Sequence, residues 1–288
     1  MINLTSINYR YPKSVLVYQD FSLNLQAGTI CGLFGKNGEG KSTLLKLASG
    51  LLFPQAGTIM VDEFTPQQRQ AAFLANVFFV AEDFKLPKLT QQQYVKLYSA
   101  FYPGFSHEQF NSYLAEFEVN NRLPLAKLSF GNKKKFFIAF ALATNCKYLL
   151  LDEPTNGLDI PSKVILRKLL LQRRNEANLV TLISTHQAHD IEGAINSIII
   201  LNGNKVLNQN DLALFYDSLH IEEHEQPTAE ALYSEQTATS YSCLMQGPPS
   251  NKGERVTVEF IFNALLTNSA AIEEALKGNF NITSRKGV

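Results

Sequence analysis

Thr29-Ile30-Cys31-Gly32-Leu33-Phe34-Gly35-Lys36-Asn37-Gly38-Glu39-Gly40-Lys41-Ser42-Thr43 decides the fold. An apolar run ends in a glycine-rich turn, and Leu44, Leu45, Leu47 and Ala48 follow at helical spacing. The pattern predicts a buried strand over Thr29–Phe34, a loop, and a helix over Ser42–Ser49 packed on a sheet. Gly35 to Ser42 fits G-x-x-x-x-G-K-[ST], in which glycines let backbone N–H groups turn inward around phosphates. Here Gly35, Asn37, Gly38 and Gly40 would form the cradle, Lys41 reach the β- and γ-phosphates, and Ser42, followed by Thr43, present a hydroxyl to Mg²⁺. A helix N-terminus at this point adds a dipole that favours an anion.

Working outward, short apolar runs recur at Val77–Val80, Tyr148–Leu151, Val180–Ile183 and Ile198–Leu201, each separated by room for a helix. That alternation predicts an α/β core with a largely parallel sheet. Asn202-Gly203 reads as a hairpin turn into Lys205–Leu207. The run ending at Leu151 places Asp152 and Glu153 at a strand's C-terminal end, where ligands of open α/β sheets sit. Asp152 suits Mg²⁺, held through water, and Glu153 suits polarising or positioning an attacking water. An ordinary acidic strand end before a proline turn is the plainer reading of this pair taken alone.

Between about Lys85 and Lys127, Tyr94, Leu97, Tyr98, Phe101, Phe110, Tyr113, Leu114 and Phe117 recur at helical spacing, predicting two or three helices as an insertion. After about His224 the composition shifts. Gln226–Glu254, with Pro248-Pro249, is rich in Ser, Thr, Gln, Gly and Pro and predicts irregular structure. Arg255–Phe262 then reads as a strand and Ala264–Leu276 as a helix. The division expected is a nucleotide-binding domain over 1–225 and an accessory region over 226–288.

The 288 residues carry 26 Lys plus Arg against 26 Asp plus Glu, so the basic excess of a nucleic-acid binder is missing and no nucleic-acid partner is expected. Three widely spaced cysteines fit no metal pattern and suggest a reducing compartment. No signal segment and no apolar run of membrane-spanning length is visible. Any service to a membrane would come from the water side.

The segment before the acidic strand narrows the choice. Leu128-Ser129-Phe130-Gly131-Asn132 resembles the signature motif of ATP-binding cassette proteins, LSGGQ in its common form. Pro154-Thr155-Asn156-Gly157-Leu158-Asp159 resembles the family's P-T-x-x-L-D continuation, and Ile183-Ser184-Thr185-His186 its strand ending in a switch histidine. The resemblance spans about Tyr11 to Gln209, in the family's order and spacing. It implies a P-loop NTPase core, an antiparallel N-terminal β subdomain, a helical subdomain at about 85–130 and a small C-terminal extension. It implies ATP and Mg²⁺ as ligands, and a head-to-tail dimer in which Ser129 and Gly131 reach the γ-phosphate held by the other copy. By the same resemblance Asp159 links the two sites, His186 contacts the γ-phosphate, and Tyr11 stacks on adenine, with Tyr9 as competitor.

Three positions depart from the pattern. Phe130 and Asn132 replace the first glycine and the glutamine of the signature, which implies slow hydrolysis or pairing with a better-equipped partner. Glu82 stands where the family has a glutamine that coordinates Mg²⁺ and senses the membrane subunit; an oxygen ligand is kept and a charge added. The expected function is an ATP-hydrolysing motor on the cytoplasmic face of a membrane, acting through a separate permease and in export. The alternatives are a soluble cassette ATPase working on ribosomes or DNA, and a regulatory ATP binder that hydrolyses poorly.

Overall fold

The structure, a computed structural model, describes residues 1–12, 15–120, 123–174, 178–248 and 253–283. In chain order its elements are β1 (Ile2–Arg10), β2 (Leu16–Leu25), β3 (Thr29–Phe34), α1 (Lys41–Ala48), β4 (Ala56–Val61), α2 (Ala71–Leu74) and β5 (Val77–Val80). Helices α3 (Gln91–Tyr98), α4 (His107–Glu116) and α5 (Phe130–Ala143) lead to β6 (Tyr148–Asp152), α6 (Ile160–Arg174), β7 (Val180–Ser184), β8 (Ser197–Asn202) and β9 (Lys205–Asp211). The chain continues through α7 (Leu212–Ser218), β10 (Leu219–His224), β11 (Tyr233–Gln236), β12 (Tyr241–Gln246), β13 (Glu254–Arg255) and α8 (Val258–Thr283).

The central sheet has six strands in the order β5-β6-β7-β3-β8-β9, parallel except for antiparallel β9. Successive side chains alternate between its faces, as a pleated strand requires. Leu149 and Leu151 of β6, Ile30 and Phe34 of β3, and Ile198 and Ile200 of β8 enter the core shared with α5, α6 and α8. Their neighbours Tyr148, Leu150, Cys31, Leu33, Ile199 and Leu201 enter a second core containing α1 and the antiparallel sheet β2-β1-β4. Sandwiching α1 between two sheets explains why Leu44, Leu45 and Leu47 are all fully buried.

Both the strand over Thr29–Phe34 and the α/β alternation appear as expected. The hairpin after β8 turns one residue later than the sequence suggests. Asn202 still pairs with Lys205, and Gly203 and Asn204 make the turn with φ of 58° and 61°. Positive φ at both central residues is the turn whose twist matches the flanking strands. It also has a local task, because the Asn204 N–H donates to the Glu39 carboxylate in the phosphate loop at 2.7 Å.

The insertion holds α3 and α4, joined to α5 by an aromatic cluster in which Tyr94 and Phe110 meet Phe136 at 5.4 and 5.6 Å. Leu97 and Phe101, grouped by periodicity with that core, are instead 53% and 63% exposed.

The tail differs most from expectation. Residues 226–254, read as irregular, supply β11 and β12, which with β10 and β13 make a four-stranded antiparallel sheet. Cys243 and Leu244, neighbours on β12 that point to opposite faces, are both buried, while Ser, Glu and Gln fill most of the remaining positions, so these strands carry no hydrophobic alternation to read. Residues 249–252, including Pro249, lie outside those described. The strand expected over Arg255–Phe262 shrinks to Glu254–Arg255, and α8 begins at Val258. β-Branched and aromatic residues suggested a strand there, but Val258, Ile261 and Leu265 share one helical face against the core. Helix α8 is interrupted at Asn268 (φ −145°, ψ 62°), whose amide donates to the Leu232 carbonyl at 3.2 Å.

Candidate functional site

The phosphate loop leaves β3 at Gly35 and enters α1 at Lys41. Gly40 has φ +91°, and a Cβ there would lie 2.6 Å from the Tyr18 hydroxyl, so glycine is required on both counts. The Tyr18 hydroxyl, buried beneath the antiparallel sheet, donates to the Gly40 carbonyl at 2.7 Å. The Lys41 ammonium donates to the carbonyls of Gly35 at 2.7 Å and Lys36 at 3.2 Å, closing the loop on itself. Burial pushes its pKa down, opposed by Glu153, Asp152, Glu39 and Glu82.

Strand register brings the acids to this loop. Asp152 at the end of β6 pairs with Ser184 at the end of β7. Asp152 Oδ1 accepts from the Ser42 hydroxyl at 2.9 Å and from the Ser184 hydroxyl. These hard oxygens at the phosphate loop fit a divalent cation such as Mg²⁺. Glu153 follows in the left-handed region, φ +45°, with its N–H donating to the Ser184 carbonyl at 3.0 Å. Its Oε1 lies 3.0 Å from His186 Nδ1, while its buried Oε2 has no hydrogen-bond partner among the described residues. A buried carboxylate oxygen left without a donor is costly, and a bound water would supply that donor. His186 is 46% exposed and stands at the mouth of the site.

Tyr11 and Tyr9 pack edge to face at 5.1 Å. Tyr9 is buried; Tyr11 is half-buried, and its hydroxyl lies 3.1 Å from Thr43 Oγ1 at the start of α1. Both tyrosines line a groove of about 600 Å³ with Arg10, Leu52 and Phe53, Tyr11 being the more exposed of the two and the one whose hydroxyl reaches α1.

The signature residues stand apart from this cluster. Ser129 is the exposed N-cap of α5, its hydroxyl accepting from the Asn132 N–H at 3.2 Å. The Phe130 ring folds back onto Phe84, 6.2 Å between centroids, and against Gly157. Asp159 caps α6 by accepting from the Ser162 N–H at 2.9 Å, and it pairs with Lys135 at 3.1 Å. Hydrogen bonds from Ser162, then Lys135, hold its carboxyl down at about 2. Glu82 is exposed and accepts from the Asn156 amide at 2.9 Å, and neither Ser42 nor Asp152 is among its hydrogen-bond partners.

Lys41, Ser42, Asp152, Glu153 and His186 thus meet in one crevice, whereas Ser129 and Asp159 are exposed outside it and Gly131 packs on Gly157. Sequence reasoning missed Tyr18, Ser184 and Lys134. The Ser184 signal was present, a hydroxyl at a strand end beside the acidic strand; the others depend on tertiary packing.

Comparison with known proteins agrees with this arrangement. A family model described as ABC transporter matches residues 18–156, from within β2 to the turn after Glu153. The ABC transporter ATP-binding protein YtrB of Bacillus subtilis is 30% identical over 196 residues, covering 68% of this chain and 67% of its own length. The chain belongs to the ABC transporter ATP-binding proteins. A solved ATP-binding subunit of an ABC transporter superposes with a TM-score of 0.66 at 25% identity, covering 75% of this chain and 92% of that one. The dimeric post-hydrolysis state of the cassette MJ0796, bound to ADP and Pi, gives 0.64 at 26% identity, covering 74% and 99%. The chain is therefore the ATP-binding, ATP-hydrolysing subunit of an ABC transporter, a family whose subunits bind ATP with Mg²⁺, pair with one another and act on membrane-spanning permeases. Among the described residues no helix of this ABC subunit is long and apolar enough to cross a membrane.

Proposed function

We propose that this subunit drives export through a separate permease from the cytoplasmic face of the membrane, with catalytic chemistry centred on Glu153. The observation that carries the reading is the convergence of Lys41, the Ser42–Asp152 pair, and a buried Glu153 oxygen awaiting a donor.

The roles follow from position. Gly35, Asn37, Gly38, Gly40 and the ammonium of Lys41 would hold the phosphates, with Thr43 and Tyr11 beside the base. Ser42 and Asp152 would hold Mg²⁺, with Glu82 supporting from the rim. Bound Mg²⁺ supplies charge neutralisation at the phosphates. Glu153 orients the attacking water through Oε2, and His186 holds Oε1 so that the other oxygen stays directed. Water attacks the γ-phosphorus, and the bond to the β-phosphate oxygen breaks. Ser129 and Gly131 of a second copy would close the anion site with the amides of a helix N-terminus. Asp159 would join the two sites.

Residues 1–225 then form the nucleotide-binding domain, with a helical subdomain at about 85–130, and 226–288 an accessory region whose sheet borrows β10 from before that boundary. A groove of about 760 Å³ lined by Leu51, Arg69, Leu74, Phe79, Tyr98 and Phe101 offers the permease an apolar seat. The export direction is supported by Glu82 and by the C-terminal extension.

The test of the site is Glu153→Gln, which should bind Mg-ATP and elute as a persistent dimer in size-exclusion chromatography; elution as a monomer at saturating ATP would defeat the dimer mechanism. Inverted vesicles carrying the permease test direction, since import into the cell would leave them unable to accumulate cargo. A poorly hydrolysing regulatory subunit is the second reading, favoured by the bulk of Phe130 beside Ser129.

A further inference from the structure

Four side groups of α5 line up along the loop Glu153–Asp159. The Lys134 ammonium, fully buried, donates to the Glu153 carbonyl at 2.7 Å. One residue on, Lys135 holds the Asp159 carboxylate at 3.1 Å. Between these anchors the Phe130 ring covers Gly157, where an added Cβ would come within 2.7 Å of it. Gly131 lies so close that a Cβ there would sit 2.9 Å from the Gly157 carbonyl. The first turns of α5 therefore grip both ends and the middle of the loop that carries the proposed catalytic carboxylate.

That grip has a physical reason to exist. Glu153 sits at φ +45°, a conformation that costs a non-glycine residue free energy and persists only where surroundings over-determine it. The Ser184 carbonyl fixes its N–H, and Lys134 fixes its carbonyl. Rotating the peptide back toward an ordinary conformation would strand a buried ammonium away from its acceptor. Lys134 also faces the carboxylates of Glu82, Asp152, Glu153 and Asp83, which offset its burial.

We propose that Lys134 is a positioning residue for Glu153, and that α5 thereby ties the carboxylate of one ATP site to the signature end, Ser129 and Gly131, that would complete the other. This inference rests on the reading of Glu153 as the residue that orients water. An aligned carboxylate displaced by about 1 Å loses on the order of 100-fold in rate, whereas nucleotide grip at Lys41 is untouched.

The experiment compares full-length Lys134→Met and Lys134→Gln with wild type in steady-state ATPase assays and thermal melting. Lys134→Met should lose about 10- to 100-fold in kcat with KM for Mg-ATP within about two-fold. Lys134→Gln, which restores an N–H donor, should recover most of that loss. Wild-type kcat in Lys134→Met overturns the proposal, as does equal loss in both variants, which marks a packing role. If Lys134→Met yields no folded protein, Lys134→Leu carries the same comparison. Glu153→Gln, run alongside, separates the failures: if it keeps turnover, the reading of Glu153 falls; if it is inactive while Lys134→Met is normal, only the role of Lys134 falls.

Discussion

The phosphate loop and the signature end of α5 are both helix N-termini suited to an anion, yet they are finished to different degrees. Around Gly35–Ser42 the backbone bends, the Lys41 ammonium, the Glu39 carboxylate and the Gly40 carbonyl all have partners within the chain. At Ser129 the cap bond to Asn132 is made, but the residue is exposed, and half of the Phe130 ring is open to solvent. One end is closed by bonds within the chain; the other leaves its capping serine exposed. On the function proposed above, the difference assigns binding to one chain and turnover to a pair.

The largest effect should come from the finished end. Lys41→Ala removes the ammonium that closes the loop and should abolish turnover; normal phosphate release in a coupled assay would refute the assigned cradle. A block at the open end separates the two properties. Ser129→Arg should leave ATP affinity, measured by fluorescence titration, within about two-fold while turnover drops on the order of 100-fold. Parallel loss of affinity would break the comparison.

That contrast also marks what the sequence could reveal. The cradle, the acidic strand and the α/β alternation of the core were legible because each is local: an apolar run, a spacing, a strand end; the order β5-β6-β7-β3-β8-β9 was not, because it joins strands far apart in the chain. The accessory region was not. Its strands β11 and β12 show no period-two burial among their Ser, Glu and Gln residues, and the start of α8 carries residues that also suit a strand. Leu97 and Phe101 kept helical periodicity without being core, since periodicity reports a face and not what covers it. Lys134 is one of three consecutive lysines, and only its approach to the Glu153 carbonyl shows why this one is buried.

A smaller change sharpens the signature side. Phe130→Gly uncovers Gly157 and should raise kcat a few-fold, about 1 kcal/mol at the barrier; an unchanged rate would acquit the ring as a brake. The smallest effect concerns stability. Asp159→Ala removes an N-cap and should cost about 1 kcal/mol in urea unfolding. The Asp159 carboxyl is held down at about 2, below its ordinary value. Its contribution is therefore present above about pH 4 and lost as pH falls through about 2. The gap between wild type and variant should shrink as pH falls from about 4 toward 2, and a gap that stays constant over that range would count against the cap.

Tyr18 reaches from the antiparallel sheet to the Gly40 carbonyl, so the turn between β3 and α1 is braced from a second layer of the protein. A turn immobilised in this way gives up its conformational entropy during folding, not at the moment of nucleotide capture. The antiparallel sheet thus acts as a pre-tensioning device, and part of the affinity for phosphate was set before any phosphate arrived.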